Sequence, residues 1–441
     1  MRNVKYFFTV AAFALLAALP SFAGEPLTLA GARSLALANS KTLASSNLAV
    51  ESAVLAERSG VYSMLPSISL GASASVAVPS GTAKSIADTL STGASVSVKQ
   101  TVFDFGKNSV LLAIDRLATS SDREAARTAY FGVLDSVDSA YYNLLKDKAA
   151  LAAAEATLDS ATKSLAIAET RLSVGSLSRT DYLEAEATAE SAKTSVSQCR
   201  RDLAIARIAL ASLTGVPATD IAEIDFSGYD SLIQRLADYS GESTDAFIAA
   251  VQDGVAKNNP TLAKALVAQK TAAQNVSLAE KDYLPTFSAG YSGGLDLSAV
   301  DGASLSGSLS LSGSMSLDFW STKNTVDGKK IALRQADLSL DESRRTVDIS
   351  VQTAVLNCIS QARSVVSSGK SLEYAQKYYE DKFEMYKLSA ASVSDLATAS
   401  TLLGSNQNAN ISARYGFLSC LSTLRSLVAA DSDASVISLI P

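Results

Sequence analysis

Ala303-Ser304-Leu305-Ser306-Gly307-Ser308-Leu309-Ser310-Leu311-Ser312-Gly313-Ser314-Met315-Ser316-Leu317 is the stretch whose reading decides the fold. Leu305, Leu309, Leu311, Met315 and Leu317 share one parity, and a serine holds every alternate position from Ser304 to Ser316. A period of two is a β-strand with one greasy and one wet face. At about 3.3 Å per residue the run exceeds the roughly 30 Å of hydrocarbon that a membrane strand crosses. A soluble core would leave the serine hydroxyls needing partners. The pattern predicts leucines toward lipid and serines toward water.

Met1 to Ala23 has the layout of a secretory signal, with basic Arg2 and Lys5, an apolar run from Phe7 to Leu19, and small Ser21 and Ala23 before a cut that leaves Gly24 first. Removing Arg2 and Lys5 takes the formal charge from -6 to -8, an acidic balance that argues against a nucleic-acid partner. Past this segment no apolar run approaches the roughly 20 residues of a membrane helix, so any crossing is by β-barrel.

The chain has no histidine, and Cys199, Cys358 and Cys420 are far apart. The commonest general base and most transition-metal sites are therefore missing. There is no glycine-rich phosphate loop and no nucleophile elbow. No cofactor and no enzymatic activity are expected.

Taken in order, Leu27 to Met64 reads as helix and ends at Leu65-Pro66, because proline disfavours helical geometry in the residue before it. Alternation over Ser67–Val78 and again over Ala94–Val102 predicts a strand hairpin across 66–103. Phe103-Asp104-Phe105-Gly106-Lys107 returns the chain to a helix that runs without proline to Val174, about 100 Å at 1.5 Å per residue. Val174-Gly175-Ser176 breaks it, and a further helix covers Thr180 to Leu213 before Thr214-Gly215-Val216-Pro217.

The pattern then repeats. Asn39, Thr42-Leu43 and Leu65-Pro66 recur 219 positions on as Asn258, Thr261-Leu262 and Leu284-Pro285. A second hairpin across 285–319 follows, then a long helix from Lys323 to Leu388, a break at Ser389-Ala390-Ala391-Ser392, and a helix from Ser394 to Ala430. Asp395 echoes Asp181 at 214 positions. A tandem duplication explains this. The expected layout is a signal at 1–23, a first repeat at 24–217, an inserted mixed segment at 218–245, a second repeat at 246–430 and a C-terminal tail at 431–441. Four strands cannot close a membrane barrel, whose smallest versions need about eight, and unpaired edges do not persist in lipid. Oligomerisation follows, with dimer and trimer both open on spacing alone.

In their order and spacing, Leu65-Pro66, Leu284-Pro285, Phe103-Asp104-Phe105-Gly106-Lys107, Val174-Gly175 followed by Thr180-Asp181, and Leu213-Thr214-Gly215-Val216-Pro217 resemble the TolC-like outer membrane efflux protein family across nearly the whole chain. The resemblance implies an α+β membrane protein: a homotrimeric, 12-stranded outer-membrane β-barrel with four strands per chain, continued by a periplasmic α-helical coiled-coil barrel. It implies an exit duct of a tripartite efflux or type I secretion system. The partners would be outer-membrane lipid, a periplasmic adaptor and an inner-membrane pump of the RND, ABC or MFS type. A coiled-coil scaffold or surface protein that never conducts is the competing reading.

By the same resemblance, Asp395 matches a gate aspartate, Tyr386 a linking tyrosine, and Thr180 and Asp181 its acceptors. Val174, Gly175, Leu177 and Ser389 fall at the adaptor-docking tips. The second ring aspartate is Thr398 here and the linking arginine is Ala391. Asp181 and Asp395 each also suit a helix N-terminus, and Tyr386 also suits plain helix packing. For Cys358 and Cys420 the midpoint is residue 389, inside the expected turn, so an antiparallel hairpin puts both about 46 Å from it. A disulfide is open, helix rotation being undetermined.

Overall fold

The computed structural model describes residues 26–76, 90–298 and 302–440. The expected signal at 1–23 and the hairpin loop at 77–89 lie outside them. In chain order the elements are α1 (Leu29–Asn39), α2 (Lys41–Tyr62), β1 (Ser67–Val76), β2 (Leu90–Phe103), α3 (Lys107–Ser173), α4 (Arg179–Thr214), α5 (Asp230–Ala237), α6 (Gly241–Asn258), α7 (Pro260–Glu280), β3 (Thr286–Ser298), β4 (Gly302–Ser314), α8 (Phe319–Lys387), α9 (Val393–Val428) and α10 (Asp433–Ile437). They divide into two compact units.

One unit holds Thr42–Ala129 and Ala256–Ser350. Its centre is one antiparallel sheet in the order β1-β2-β3-β4, so the two hairpins adjoin through β2 and β3. The register keeps the two faces separate across all four strands. Ser69, Ser97, Ser292 and Ser308 fall in one row, with Ser69–Ser97 and Ser292–Ser308 hydroxyl contacts of 2.7 and 2.8 Å. On the opposite face Ile68, Val98, Tyr291 and Leu309 align. Leu305 and Leu309 are 86% and 85% exposed. That is a high value for leucines in a regular sheet and marks an unburied apolar face. β1 and β4 are the edges. β4 stops at Ser314, short of Leu317, because Asp318 turns the chain into α8 by accepting from Ser321 N at 3.1 Å.

Below the sheet, the Phe105 carbonyl accepts from Lys281 Nζ at 2.6 Å, and Lys107 pairs with Asp282. Phe105 and Gly106 have φ of 54° and 77°. This left-handed pair makes the sharp strand-to-helix turn that the Phe-Gly motif suggested.

The other unit holds residues up to Lys41, Tyr130–Val255 and the chain from Val351 on. The expected single helix over 27–64 is two here. It breaks at Ser40, whose backbone is extended. The equivalent break in the second repeat is Asn259-Pro260, where Asn259 caps α7 by accepting from Thr261 N and Leu262 N. Leu27 bridges Ile221 in parallel, and the buried Tyr141 hydroxyl donates to the Leu27 and Ala222 carbonyls at 3.0 and 2.7 Å. The C-terminal residues 431–440 carry α10, in which Val436 is fully buried.

The polar centre of this unit is Asp138, buried on α3. Its carboxylate accepts from Arg33 Nε at 2.6 Å, Arg425 Nη2 at 2.6 Å and Ser422 Oγ at 2.6 Å. Asp433 of α10 accepts from Arg425 and Arg33 at 3.0 and 3.3 Å. Arg33 and Arg425 offset the Asp138 and Asp433 carboxylates, while the neighbouring half-buried Asp135 has its carboxyl raised by burial and by Asp138. The network ties α1, α3, α9 and α10 together.

Candidate functional site

The turns joining α3 to α4 and α8 to α9 have the same construction. Gly175 N donates to Leu172 O and Ser176 N to Arg171 O; Ser389 N donates to Tyr386 O and Ala390 N to Met385 O. Both are Schellman closures, which need a left-handed residue after the helix. Gly175 takes it at φ 76°, and Ser389, displaced by 214 positions, at φ 59°. The next helices start alike: Asp181 N donates to Ser178 Oγ at 3.1 Å and Asp395 N to Ser392 Oγ at 3.0 Å. In α9 the cap is reciprocal, because Asp395 Oδ2 also accepts from Ser392 N at 3.1 Å. The Ser392 hydroxyl, which donates to Asp395 Oδ2 at 2.8 Å, and then the Ser392 N–H hold the exposed Asp395 carboxyl below its ordinary value of 3.8.

Val174 and Leu388 project from the two turns at 72% and 79% exposure. Gly175 and Ser389 are exposed as well. Leu177 faces inward onto a small core of Ala168, Ala185, Tyr386, Val393 and Leu396. The expected tip residues are thus brought together in two adjoining turns with a shared packing centre. Ala391, standing where the family's linking arginine was expected, packs against the same core, and the Thr398 hydroxyl donates to its own helix at Ser394 O.

Tyr386 sits at that centre with no exposed surface. Its hydroxyl donates to Ser164 O at 3.5 Å, a long bond, and not to Thr180 or Asp181. The ring packs among Leu165, Ala168, Ala185, Val393 and Leu396. Thr180 is exposed and Asp181 half-buried. A residue the sequence did not single out makes further contacts with Tyr386. Arg171 lays its guanidinium over the Tyr386 ring at 5.3 Å and donates from Nη1 to Tyr386 O at 3.4 Å. Burial raises the Tyr386 phenol, and the Arg171 charge acts in the opposite direction.

Farther along the second hairpin, Cys358 of α8 and Cys420 of α9 lie close enough to shift each other's titration, burial raising Cys358 and its neighbour lowering Cys420. Both are thiols here, as is Cys199. Cys358 is fully buried and Cys420 partly exposed.

Among the described residues no helix is long and apolar enough to cross a membrane. The family described as outer membrane efflux protein matches residues 32–216 and 253–430, one segment in each repeat. The sequence matches none of the curated proteins. Among solved structures, CusC superposes with a TM-score of 0.77 at 19% identity, covering 91% of this chain and 91% of its own. The Campylobacter jejuni CmeC outer membrane channel gives 0.75 at 15% identity, covering 93% of this chain and 88% of its own. The open state of the Neisseria gonorrhoeae MtrE outer membrane channel gives 0.74 at 17% identity, covering 91% and 88%. With the family model matching both segments and the fold shared over 91% of the chain, the chain belongs to the outer membrane efflux protein family and has the TolC-like fold.

Proposed function

We propose that three copies of this chain join β1 of one to β4 of the next, closing a 12-stranded barrel in the outer membrane, and that the assembly is the exit duct for an inner-membrane pump of the RND, ABC or MFS type and a periplasmic adaptor. The sheet carries this reading. It has one apolar face, one face of serine and glycine, and two edges with no partner among the described residues. Edge hydrogen-bonding groups cannot be left open in hydrocarbon, and closure through neighbouring copies satisfies them without exposing the leucines to water. The trimer, rather than a dimer, is what the family resemblance implies.

In this duct the two helical turns form the periplasmic end. Val174, Gly175, Leu177 and Ser389 meet the adaptor, and Asp395 lines the constriction with Thr180, Asp181 and Tyr386 behind it. The work is mechanical: helix ends tightened in the resting state are drawn apart when partners bind. Purified protein in a planar bilayer tests the duct. Discrete conductance steps and a particle mass of three chains are expected. A trimer that never conducts, even with the tip contacts substituted, supports a scaffold and overturns the duct.

A further inference from the structure

The serine face of the sheet is almost free of charge, and its two exceptions are placed apart. Among the strand residues only Lys99 and Asp296 are charged, and both fall on this face. Lys99 pairs with Ser67 and Gly290, Asp296 with Gly93 and Ser304. Both side chains are exposed. Gly93 and Lys99 are six positions apart on β2, so the charges differ in level by about 20 Å. The Debye length is about 8 Å at physiological ionic strength, so neither charge cancels the other.

The carboxylate is seated rather than loose. A Cβ at Gly93 would stand 2.8 Å from Asp296 Oδ1 and 3.3 Å from Ser73 Oγ. The missing side chain at Gly93 therefore makes room for the carboxylate to lie across the neighbouring strand. Lys99 lies toward the end where β2 enters α3, and Asp296 toward the turn between β3 and β4.

We infer that Lys99 and Asp296 are the ion-discriminating residues of the barrel, forming a cationic band at its helix end and an anionic band at its loop end, separated by a neutral sleeve of hydroxyls. This rests on the duct reading with the serine face inward. Three copies then place three ammonium groups at one level and three carboxylates at another. Each band enriches the opposite small ion locally, and the two in series bar neither sign. Hydroxyls between them hydrogen-bond passing solutes of any charge, so selection by charge is local to the bands.

The test places single cysteines beside each charge, Ser304→Cys next to Asp296 and Ser67→Cys next to Lys99, in protein reconstituted into phospholipid vesicles. Cationic and anionic membrane-impermeant methanethiosulfonates are then compared, with modification read at each site by peptide mass so that the native cysteines stay. Rates are taken relative to a free thiol in solution. At about 10 mM salt the cysteine at 304 should favour the cationic reagent about fivefold and the one at 67 the anionic reagent by a similar factor. Asp296→Asn should abolish the first preference and leave the second. Lys99→Gln should do the reverse, and about 0.5 M salt should erase both. Using single neutralisations isolates these two charges from Lys84, Asp88 and Asp301, which lie outside the described residues. Ratios near unity at both cysteines, or ratios unmoved by the neutralisations, would overturn the inference while leaving the duct intact. If neither cysteine reacts with either reagent, the serine face is not water-lined, and the duct reading fails together with the inference.

Discussion

The guanidinium of Arg171 covers the ring of Tyr386 at 5.3 Å, tying the end of the first long helix to the end of the second. Two contacts join these residues, the cation–π contact and the bond to the Tyr386 carbonyl, whereas the Tyr386 hydroxyl contributes one bond at 3.5 Å. Both hydrogen bonds, at 3.4 and 3.5 Å, are long and weak, so the cation–π contact, worth about 1–2 kcal/mol when partly desolvated, makes the difference. Arg171→Met should therefore raise spontaneous opening in single-channel recordings more than Tyr386→Phe does. Equal effects would return the linking role to the hydroxyl.

Asp395 serves two purposes that one substitution separates. Asn at this position keeps an acceptor for Ser392 N and removes the charge, so Asp395→Asn should leave α9 capped while reducing cation preference and weakening block by multivalent cations. Selectivity that does not change in bilayer recordings would leave Asp395 as a helix cap alone. The pH dependence has a definite sign. Because folding lowers this carboxyl below 3.8, its support of the helix start is complete above that value and is lost as pH falls through the lower folded one. Hydrogen exchange at Val393–Leu396 should accelerate only on that acid limb.

Ser389 holds a left-handed backbone that its counterpart Gly175 holds without a side chain. For an L-residue this conformation costs about 1–2 kcal/mol, partly offset by the greater freedom of glycine in the unfolded chain. Ser389→Gly should slow exchange at the second turn by stabilising it about 1 kcal/mol. Gly175→Ser should loosen the first turn by a similar amount. No difference in either direction would mean that the turn relaxes out of the left-handed region.

These cases show which parts of the molecule are legible in the chain itself. The sheet is legible because its period of two runs through Ser304–Ser314, and the turns are because Val174-Gly175 and Ser389 interrupt long helical runs. The break at Ser40 was obscured because Asn39-Ser40-Lys41 lacks the proline that marks the same point at Asn259-Pro260. Arg171 is one polar residue among many on a solvated helix end, and only the approach of the second hairpin gives it a partner. Asp138 and Arg425 are 287 positions apart, and no local pattern pairs residues at that separation. The folding of α10 was hidden with them, since Asp433 gains its meaning only from the two arginines.

That network predicts a large and uneven stability effect. Asp138 has no exposed surface and Arg425 has 1%, so Asp138→Ala leaves the buried guanidinium paired with the partly exposed Asp433 and should cost about 3 kcal/mol, read as a fall in the melting temperature of the purified protein. The double change Asp138→Leu with Arg425→Met removes both buried charges and should recover part of that loss. A double variant no more stable than Asp138→Ala would show that the network's hydrogen bonds, and not its charge balance, hold these helices.

Cys358 and Cys420 carry the last prediction. Their contact places α8 and α9 in register about the turn at Ser389, as equal distances of 31 residues along each helix require. The neighbouring Cys358 lowers the Cys420 thiol and burial raises Cys358, so Cys420, the more exposed of the two, ionises first. A thiolate attacks a disulfide, so a small disulfide reagent should react at Cys420, releasing one thiol. Cys358 then displaces the second thiol, and a Cys358–Cys420 bridge remains. Non-reducing peptide mapping after such treatment should show this bridge and no link to Cys199, whose thiol burial and nearby Asp202 keep protonated. A mixed disulfide that stops at Cys420 would mean that the buried Cys358 cannot reach it, and a link to Cys199 would contradict the register of the hairpin. Because both cysteines belong to the same hairpin, the bridge should stiffen that coil without fastening it to α3 or α4. Opening at the tip should therefore survive it.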